Sequence, residues 1–129
     1  MNNPDLVRYR LSCAKDDLEV AIDQLNENKL RVAANRAYYS IFHSMRAVLA
    51  LEGKDFKKHS GIISYFNLHY IKTNIFPNNL YTLISEAEDV REENDYTDFF
   101  MPDFQETKQQ IESAQLIYDL IEKYIKSQE

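Results

Sequence analysis

Glycine and proline are scarce in this chain, with two and three among 129 residues. A fold of many short strands needs turn residues at frequent intervals, so the scarcity excludes one and favours a few long helices. Cysteine is scarcer still. Cys13 stands alone, which excludes an internal disulfide framework and a cysteine-built zinc site. Inside a helical pattern it reads as a small apolar residue rather than a nucleophile. No apolar run approaches the roughly 20 residues that span a bilayer, and no basic segment with an apolar core opens the chain. The expectation is a soluble, cytoplasmic protein of one domain over residues 1–129, long enough to bury a core. The three histidines, His43, His59 and His69, lack carboxylates at ligand spacing, so neither a metal nor a cofactor is expected. A Gly-rich phosphate loop, a serine nucleophile elbow and a dinucleotide fingerprint are missing as well.

Acid outweighs base, with a formal net charge of -6. That balance is poor for sequence-independent nucleic-acid binding, which relies on Lys and Arg neutralising phosphates. The imbalance is local, however. Residues 1–75 hold 11 Lys and Arg against 8 Asp and Glu, whereas residues 76–129 hold 4 against 13. Basic residues gather at Arg31, Arg36 and Arg46 and again at Lys54, Lys57 and Lys58. A concave site there attracts phosphate despite the global charge. A plain solvated acidic surface is the other reading.

Helical periodicity runs through most of the chain. Asn3-Pro4-Asp5 is a helix start, with a capping Asn, Pro at the first position and an acid in the first turn. Leu11, Ala14, Leu18, Ala21, Ile22 and Leu25 carry that helix to Asn26. The short connection at Glu27-Asn28 makes the next helix, residues 29–52, an antiparallel neighbour. Its alanines give high propensity and close approach, and Gly53 ends it. A third helix covers residues 60–72, with Ile62, Ile63, Phe66 and Tyr70 inward. The break at Ile75-Phe76-Pro77-Asn78 follows. A fourth, built on Leu80, Leu83, Ile84, Ala87 and Val90, ends between Arg91 and Glu93. Residues 94–101 form a loop whose Phe99, Phe100 and Met101 are too apolar for a plain linker. They are expected to fold back onto the helices or onto a second subunit. Pro102-Asp103 restarts a fifth helix, with Phe104, Ile111, Ala114, Ile117, Tyr118, Leu120, Ile121 and Tyr124. The fold class is all-α, an up-down bundle of five helices.

The second helix organises the chain. Ala34, Ala37, Tyr38, Ile41, Met45 and Val48 mark its buried stripe. At 3.6 residues per turn, Arg36, Tyr39, Ser40 and His43 share the adjoining face. Polar groups beside a core need partners. Tyr38 and Tyr39 point about 100° apart, so one is assigned to the core and the other to the site.

Asn35-Arg36-Ala37-Tyr38-Tyr39 with Phe42-His43, then Lys58-His59-Ser60-Gly61, Phe76-Pro77, and Arg91 with Asp95-Tyr96 and Phe99, together resemble a HEPN domain (higher eukaryotes and prokaryotes nucleotide-binding). The resemblance covers nearly the whole chain. It implies an all-α bundle that forms a homodimer and lines the cleft between subunits with polar residues. Some members carry Arg, four to six residues, then His near the end of the fourth helix. For those, the resemblance implies metal-independent RNA cleavage. The 2′-hydroxyl attacks the adjacent phosphate, His assists proton transfer and Arg stabilises the charge on phosphate. Others pair with a small nucleotidyltransferase as toxin and antitoxin.

The chain departs from that motif. Arg91 is followed by Glu92, Glu93, Asn94, Asp95 and Tyr96, and every histidine precedes it. Tyr96 has the right offset, but a phenol with a reference pKa of about 10 is a poor base near neutral pH. It suits a hydrogen bond or stacking. Arg36 and His43 satisfy the spacing inside the second helix, which matters if the bundle brings His43 near Arg91. The candidate binding residues are Arg36, Tyr39, His43, His59, Arg91, Asp95 and Tyr96. The catalytic set, if the chain is active, is His43, Arg91 and Tyr96.

Structural roles compete with each assignment. Arg91 pairs with Asp95, Arg36 pairs with an acid on a neighbouring helix, and His43 is hydrogen-bonded in the interior. His59 caps the third helix or binds an anion with Lys57 and Lys58, and His69 lies at the surface. The leading function is a non-catalytic or weakly active nucleotide- or RNA-binding module of a toxin–antitoxin or defence system, acting with a nucleotidyltransferase partner. The alternatives are a metal-independent endoribonuclease and a structural dimerisation domain.

Overall fold

Asn3 opens the first helix in a left-handed conformation, φ 49°, and its side chain accepts a hydrogen bond from the Leu6 N–H at 3.2 Å. That satisfies one of the free donors of the first turn of α1, Pro4–Asn26. The computed structural model describes residues 2–129, all helices and connections with no strand. A left-handed Asn28 turns the chain within three residues into α2, Leu30–Leu51. This helix stops on a glycine cap. Gly53 has φ 70°, its N–H bonds the Ala50 carbonyl, and the Lys54 N–H bonds the Leu49 carbonyl. Only a residue without Cβ takes that conformation freely.

Helix α3, His59–Phe66, runs on into a wider π turn at Asn67–Ile71, closed by the Lys72 N–H on the Asn67 carbonyl. The inward residues expected here, Ile62, Ile63, Phe66 and Tyr70, are all buried. After the break at Pro77 comes α4, Asn79–Tyr96, and after a short loop α5, Phe104–Ser127. Asp103 caps α5 by accepting from the Gln105 and Glu106 N–H groups.

Helix α2 is the axis of the bundle. Its most extensive packing is against α1, then α5, and α4 and α3 complete its surroundings. The stripe from Ala34 to Val48 is fully buried, and Tyr38, Ile41 and Met45 are among the largest side chains without exposure. Small residues along it let the neighbouring helices come close. Phe76 closes one end of the core, with its ring 5.4 Å from Phe66 and 5.3 Å from Tyr124.

Three expectations need correction. Helix α4 does not end at Arg91 to Glu93 but reaches Tyr96. Nothing in the sequence stops it there, and Asn94 is held from outside: its Nδ2 donates to the Arg31 carbonyl at 3.3 Å and to Asn35 Oδ1 at 3.0 Å. The Arg31 guanidinium returns a bond to the Asn94 carbonyl at 2.7 Å. Ile22 and Phe104, counted in the apolar patterns of the first and fifth helices, are exposed: Ile22 lies at the edge of the α1 stripe and Phe104 is the first residue of α5. Of the two alternatives expected for the apolar loop, packing on the chain's own helices does not hold for Phe99 or Met101, although Phe100 is half-buried: Phe99 is fully exposed, in a left-handed conformation with φ 63°.

Candidate functional site

Arg36, Tyr39, His43 and Arg46 follow one another along α2 at intervals of three and four residues, so they form one row. The buried stripe behind them fixes the direction of that row. Helix α1 covers one side of it, and α4 and the start of α3 cover the other.

On the α1 side, Asp17 serves two partners. The Arg36 guanidinium donates to Asp17 Oδ1 at 3.1 Å, and His43 Nε2 lies 3.6 Å from Oδ2. The second distance is too long for a hydrogen bond. Burial, then the nearby Arg46, Arg36 and Arg10, hold the His43 pKa below its ordinary value, although Asp17 opposes them. His43 is therefore a neutral imidazole at neutral pH. Ser40 is buried, and its hydroxyl donates to the Ala14 carbonyl at 2.8 Å, so it ties α2 to α1 instead of facing the row.

On the other side, Arg91 of α4 meets both tyrosines. Its guanidinium carbon is 5.5 Å from the Tyr38 ring centre and 6.0 Å from that of Tyr39, within cation–π range. Nη2 reaches the Tyr39 hydroxyl at 3.5 Å, the limit of a hydrogen bond. Nε is 3.1 Å from Asp95 Oδ2, but its proton is not aimed at that oxygen, so the contact is one of charge. Burial alone would lower the Arg91 pKa, and the tyrosines and Asp95 outweigh it.

His59, the first residue of α3, completes this cluster. Its Nδ1 is 2.9 Å from the Tyr38 hydroxyl, and its ring is 4.0 Å from that of Phe42. Burial first, then Arg91 and Arg46, lower its pKa. Burial raises the Tyr38 pKa, so the phenol keeps its proton. Two tautomers fit this contact: with Tyr38 as donor, Nδ1 accepts and Nε2 holds the ring proton, and with Nδ1–H donating to the phenol oxygen, the Nε2 lone pair is free to accept a proton. A neutral imidazole beside a fixed guanidinium can exchange a proton while the guanidinium meets developing negative charge.

The predicted residues thus fall into groups. Arg36, Tyr39 and His43 are together, with Arg36 over the Tyr39 ring at 5.3 Å. Arg91 and His59 stand against Tyr38 and Tyr39, and Asp95 joins them through Arg91. Both ion pairs expected as structural alternatives are present, Arg36 with Asp17 and Arg91 with Asp95. His43 and Arg91 are not in direct contact; Tyr39 lies between them, its ring 6.3 Å from that of His43. Tyr96 is on α4, five residues beyond Arg91 and therefore about 140° around the helix. It is 78% exposed, and no hydrogen bond or ring contact joins it to Arg91 among the described residues. His69 is exposed, stacked on Tyr65.

Sequence reasoning missed Asp17, Arg10, Asp55 and Asn94. Arg10 is only 7% exposed, and its guanidinium donates to the Arg46 carbonyl and to Asp55 Oδ2, both at 3.1 Å. A signal existed: Arg10 and Asp17 sit at helical spacing with Val7, Ala14 and Leu18, two charges on the apolar margin of α1. Among the described residues, no three or more His, Cys, Asp or Glu side chains gather to hold a metal ion, and no helix is long and apolar enough to cross a membrane.

The sequence model of the HEPN domain family matches residues 7–124. A UPF0332 protein of Thermotoga maritima is 30% identical over 120 residues, which cover 93% of this chain and 91% of that protein. A Methanocaldococcus jannaschii protein named "Putative toxin" is 34% identical over 121 residues, 93% of this chain and 89% of that one. A UPF0332 protein of Pyrococcus horikoshii is 40% identical over 73 residues, 57% of this chain and 51% of that one.

Proposed function

The chain belongs to the HEPN domain family, and from that membership we propose that it is an RNA-binding module of toxin type. One observation carries this reading. Arg36 and Arg91 bracket the half-buried ring of Tyr39, and each guanidinium has a single carboxylate partner. Planar guanidinium groups suit phosphate oxygens, and an accessible tyrosine ring between them suits an unpaired base. The name carried by the Methanocaldococcus relatives supports the toxin type. In this proposal the chain acts as a homodimer and is neutralised by a nucleotidyltransferase partner.

The test is fluorescence anisotropy with labelled single-stranded RNA. Wild type binds, and Arg36→Ala with Arg91→Ala together weaken binding at least tenfold. Unchanged affinity in the double variant overturns the proposal.

A second reading is a metal-independent endoribonuclease, favoured by the placement of His59. The imidazole missing after Arg91 in sequence is supplied from α3, on the tyrosine that Arg91 also touches. For this, Nδ1–H of His59 donates to the Tyr38 oxygen and the free Nε2 lone pair, rather than His43 or Tyr96, takes the proton of the attacking 2′-hydroxyl, which then passes to the leaving 5′-oxygen. RNA cleavage in EDTA that leaves a 2′,3′-cyclic phosphate and is lost in His59→Ala and Arg91→Ala establishes it. Cleavage unchanged by both variants overturns it.

A further inference from the structure

Helices α4 and α5 both pack on α2 but barely on each other, and a groove is left between them. Its lining runs from Asn79 to Val90 on α4 and from Glu106 to Leu116 on α5, about 15 Å along each helix at 1.5 Å per residue. The volume is about 800 Å³. None of Arg36, Tyr39, His43, His59 and Arg91 lines it.

The floor is apolar. Leu80, Ile84 and Ala87 attach α4 to the bundle and are fully buried. Leu83 and Val90 are not part of that set. They lie two turns apart on one face of α4, half-buried, and form a second stripe that the bundle leaves open. Leu116 faces the groove from α5 and is 43% exposed. Gln110 bridges the two helices at the bottom, with its Nε2 3.5 Å from the Ala87 carbonyl.

The rims are acidic. Glu86 and Asp89 edge the groove on α4, and Glu106 and Glu112 on α5, all exposed. No Lys, Arg or His lines it. None of the four carboxylates is ion-paired among the described residues. Glu106 has a local role, because an acid in the first turn offsets the helix dipole. Glu86, Asp89 and Glu112 lie inside their helices, where the dipole gives them no such support.

These features select the occupant. A second copy laid groove to groove would set like charges against like, so charge opposes a self-complementary contact there. An apolar floor about three turns long between two acidic rims is complementary to a helix with one apolar stripe and Lys or Arg on both flanks. We propose that the α4–α5 groove docks a basic amphipathic helix of a partner protein. Its apolar anchors, spaced at three and four residues, cover Leu83, Val90 and Leu116, and its basic flanks meet Glu86, Asp89 and Glu112. This surface is separate from the Arg36–Arg91 face and does not depend on the role given to that face.

The probe is a synthetic peptide of about 15 residues, with Leu at that helical spacing and Lys on both flanks. Fluorescence anisotropy with the full chain compares it with a scrambled peptide of the same composition and with one carrying Glu for each Lys. The basic amphipathic peptide is expected to bind about tenfold or more tightly than either. Glu86→Lys with Glu112→Lys lowers its affinity about tenfold or more. Asp16→Lys with Asp23→Lys makes the same change of net charge at exposed positions of α1, outside the groove, and leaves the affinity within about twofold. Leu116→Gln weakens binding as well, and Arg91→Ala leaves it intact, which separates it from the RNA affinity of the other face. No binding, equal binding of the scrambled peptide, or an equal loss in the α1 variant overturns the proposal. Sedimentation in which Leu116→Gln weakens self-association would seat a second copy in the groove and overturns it too.

Discussion

Arg91 and His59 are held on the same tyrosine. The guanidinium stands 5.5 Å from the ring centre of Tyr38, and the imidazole Nδ1 is 2.9 Å from its hydroxyl. These residues come from α4 and α3, 32 positions apart in sequence, and Tyr38 is fully buried between them. One core side chain therefore sets the position of two polar groups at the surface of the bundle.

Tyr38→Phe keeps the ring and removes the hydroxyl. The core packing and the cation–π contact with Arg91 remain, while His59 loses its partner. A lost hydrogen bond of this kind costs about 0.5–1.5 kcal/mol, so the urea midpoint falls modestly with an unchanged slope. The His59 ring is also freed to turn, and its NMR line shape should broaden. A ring signal as sharp as in wild type would mean that the stacking on Phe42 alone fixes it.

The histidines make stability depend on pH. His43 and His59 both have folded pKa values below the ordinary 6.5, chiefly from burial. In that window the unfolded chain takes up protons first. Their contribution is complete above about pH 6.5 and is lost as pH falls through the folded values. The urea midpoint is expected to drop between pH 7.5 and 5.5, and the double variant His43→Gln/His59→Gln to flatten that drop. Asp55 acts in a different range. Burial pushes its pKa up, but the hydrogen bonds from Arg46 and the Phe56 N–H outweigh it and hold the value below 3.8. Its contribution is lost only as pH falls from about 3.8 through that lowered value.

Asn94 is 2% exposed and joins the end of α4 to Arg31 and Asn35 on α2. Asn94→Ala leaves the Asn35 side-chain oxygen without its donor, at a cost of about 1–3 kcal/mol. Helix α4 should then fray from its C-terminal end toward Arg91. Hydrogen exchange at residues 91–96 measures this, and faster exchange confined to that turn is the expected result.

Phe99 carries a left-handed backbone and a fully exposed ring, beside the exposed Tyr96 and Met101. A left-handed conformation costs a non-glycine residue about 1–2 kcal/mol. Phe99→Gly relieves that cost while removing the ring. If this patch joins two subunits, sedimentation shows weaker self-association while the monomer's urea midpoint holds or rises. Self-association at wild-type strength would place the subunit contact elsewhere.

Much of the fold was legible because its signals are local. Caps at Asn3 and Asp103, the glycine stop at Gly53 and the apolar stripe of α2 all act within a few residues. The end of α4 was not legible. Asn94 resembles a loop residue by composition, and its bonds to a helix about 60 residues earlier help hold it in the helix. The exposure of Phe99 was equally hidden, since an apolar loop residue gives no sign of which way its backbone turns.

The site divides along the same line. The sequence by itself determined that Arg36, Tyr39 and His43 share one face of α2 and that Tyr38 turns into the core, because helical geometry fixes directions within an element. The tertiary structure alone decided that Asp17 would face Arg36 and His43, and that His59, not His43, would join Arg91. Which side chain lies across from a helix depends on how the helices cross and slide against one another. Close packing of the small residues along α2 sets that register, and periodicity within a single helix carries no record of it.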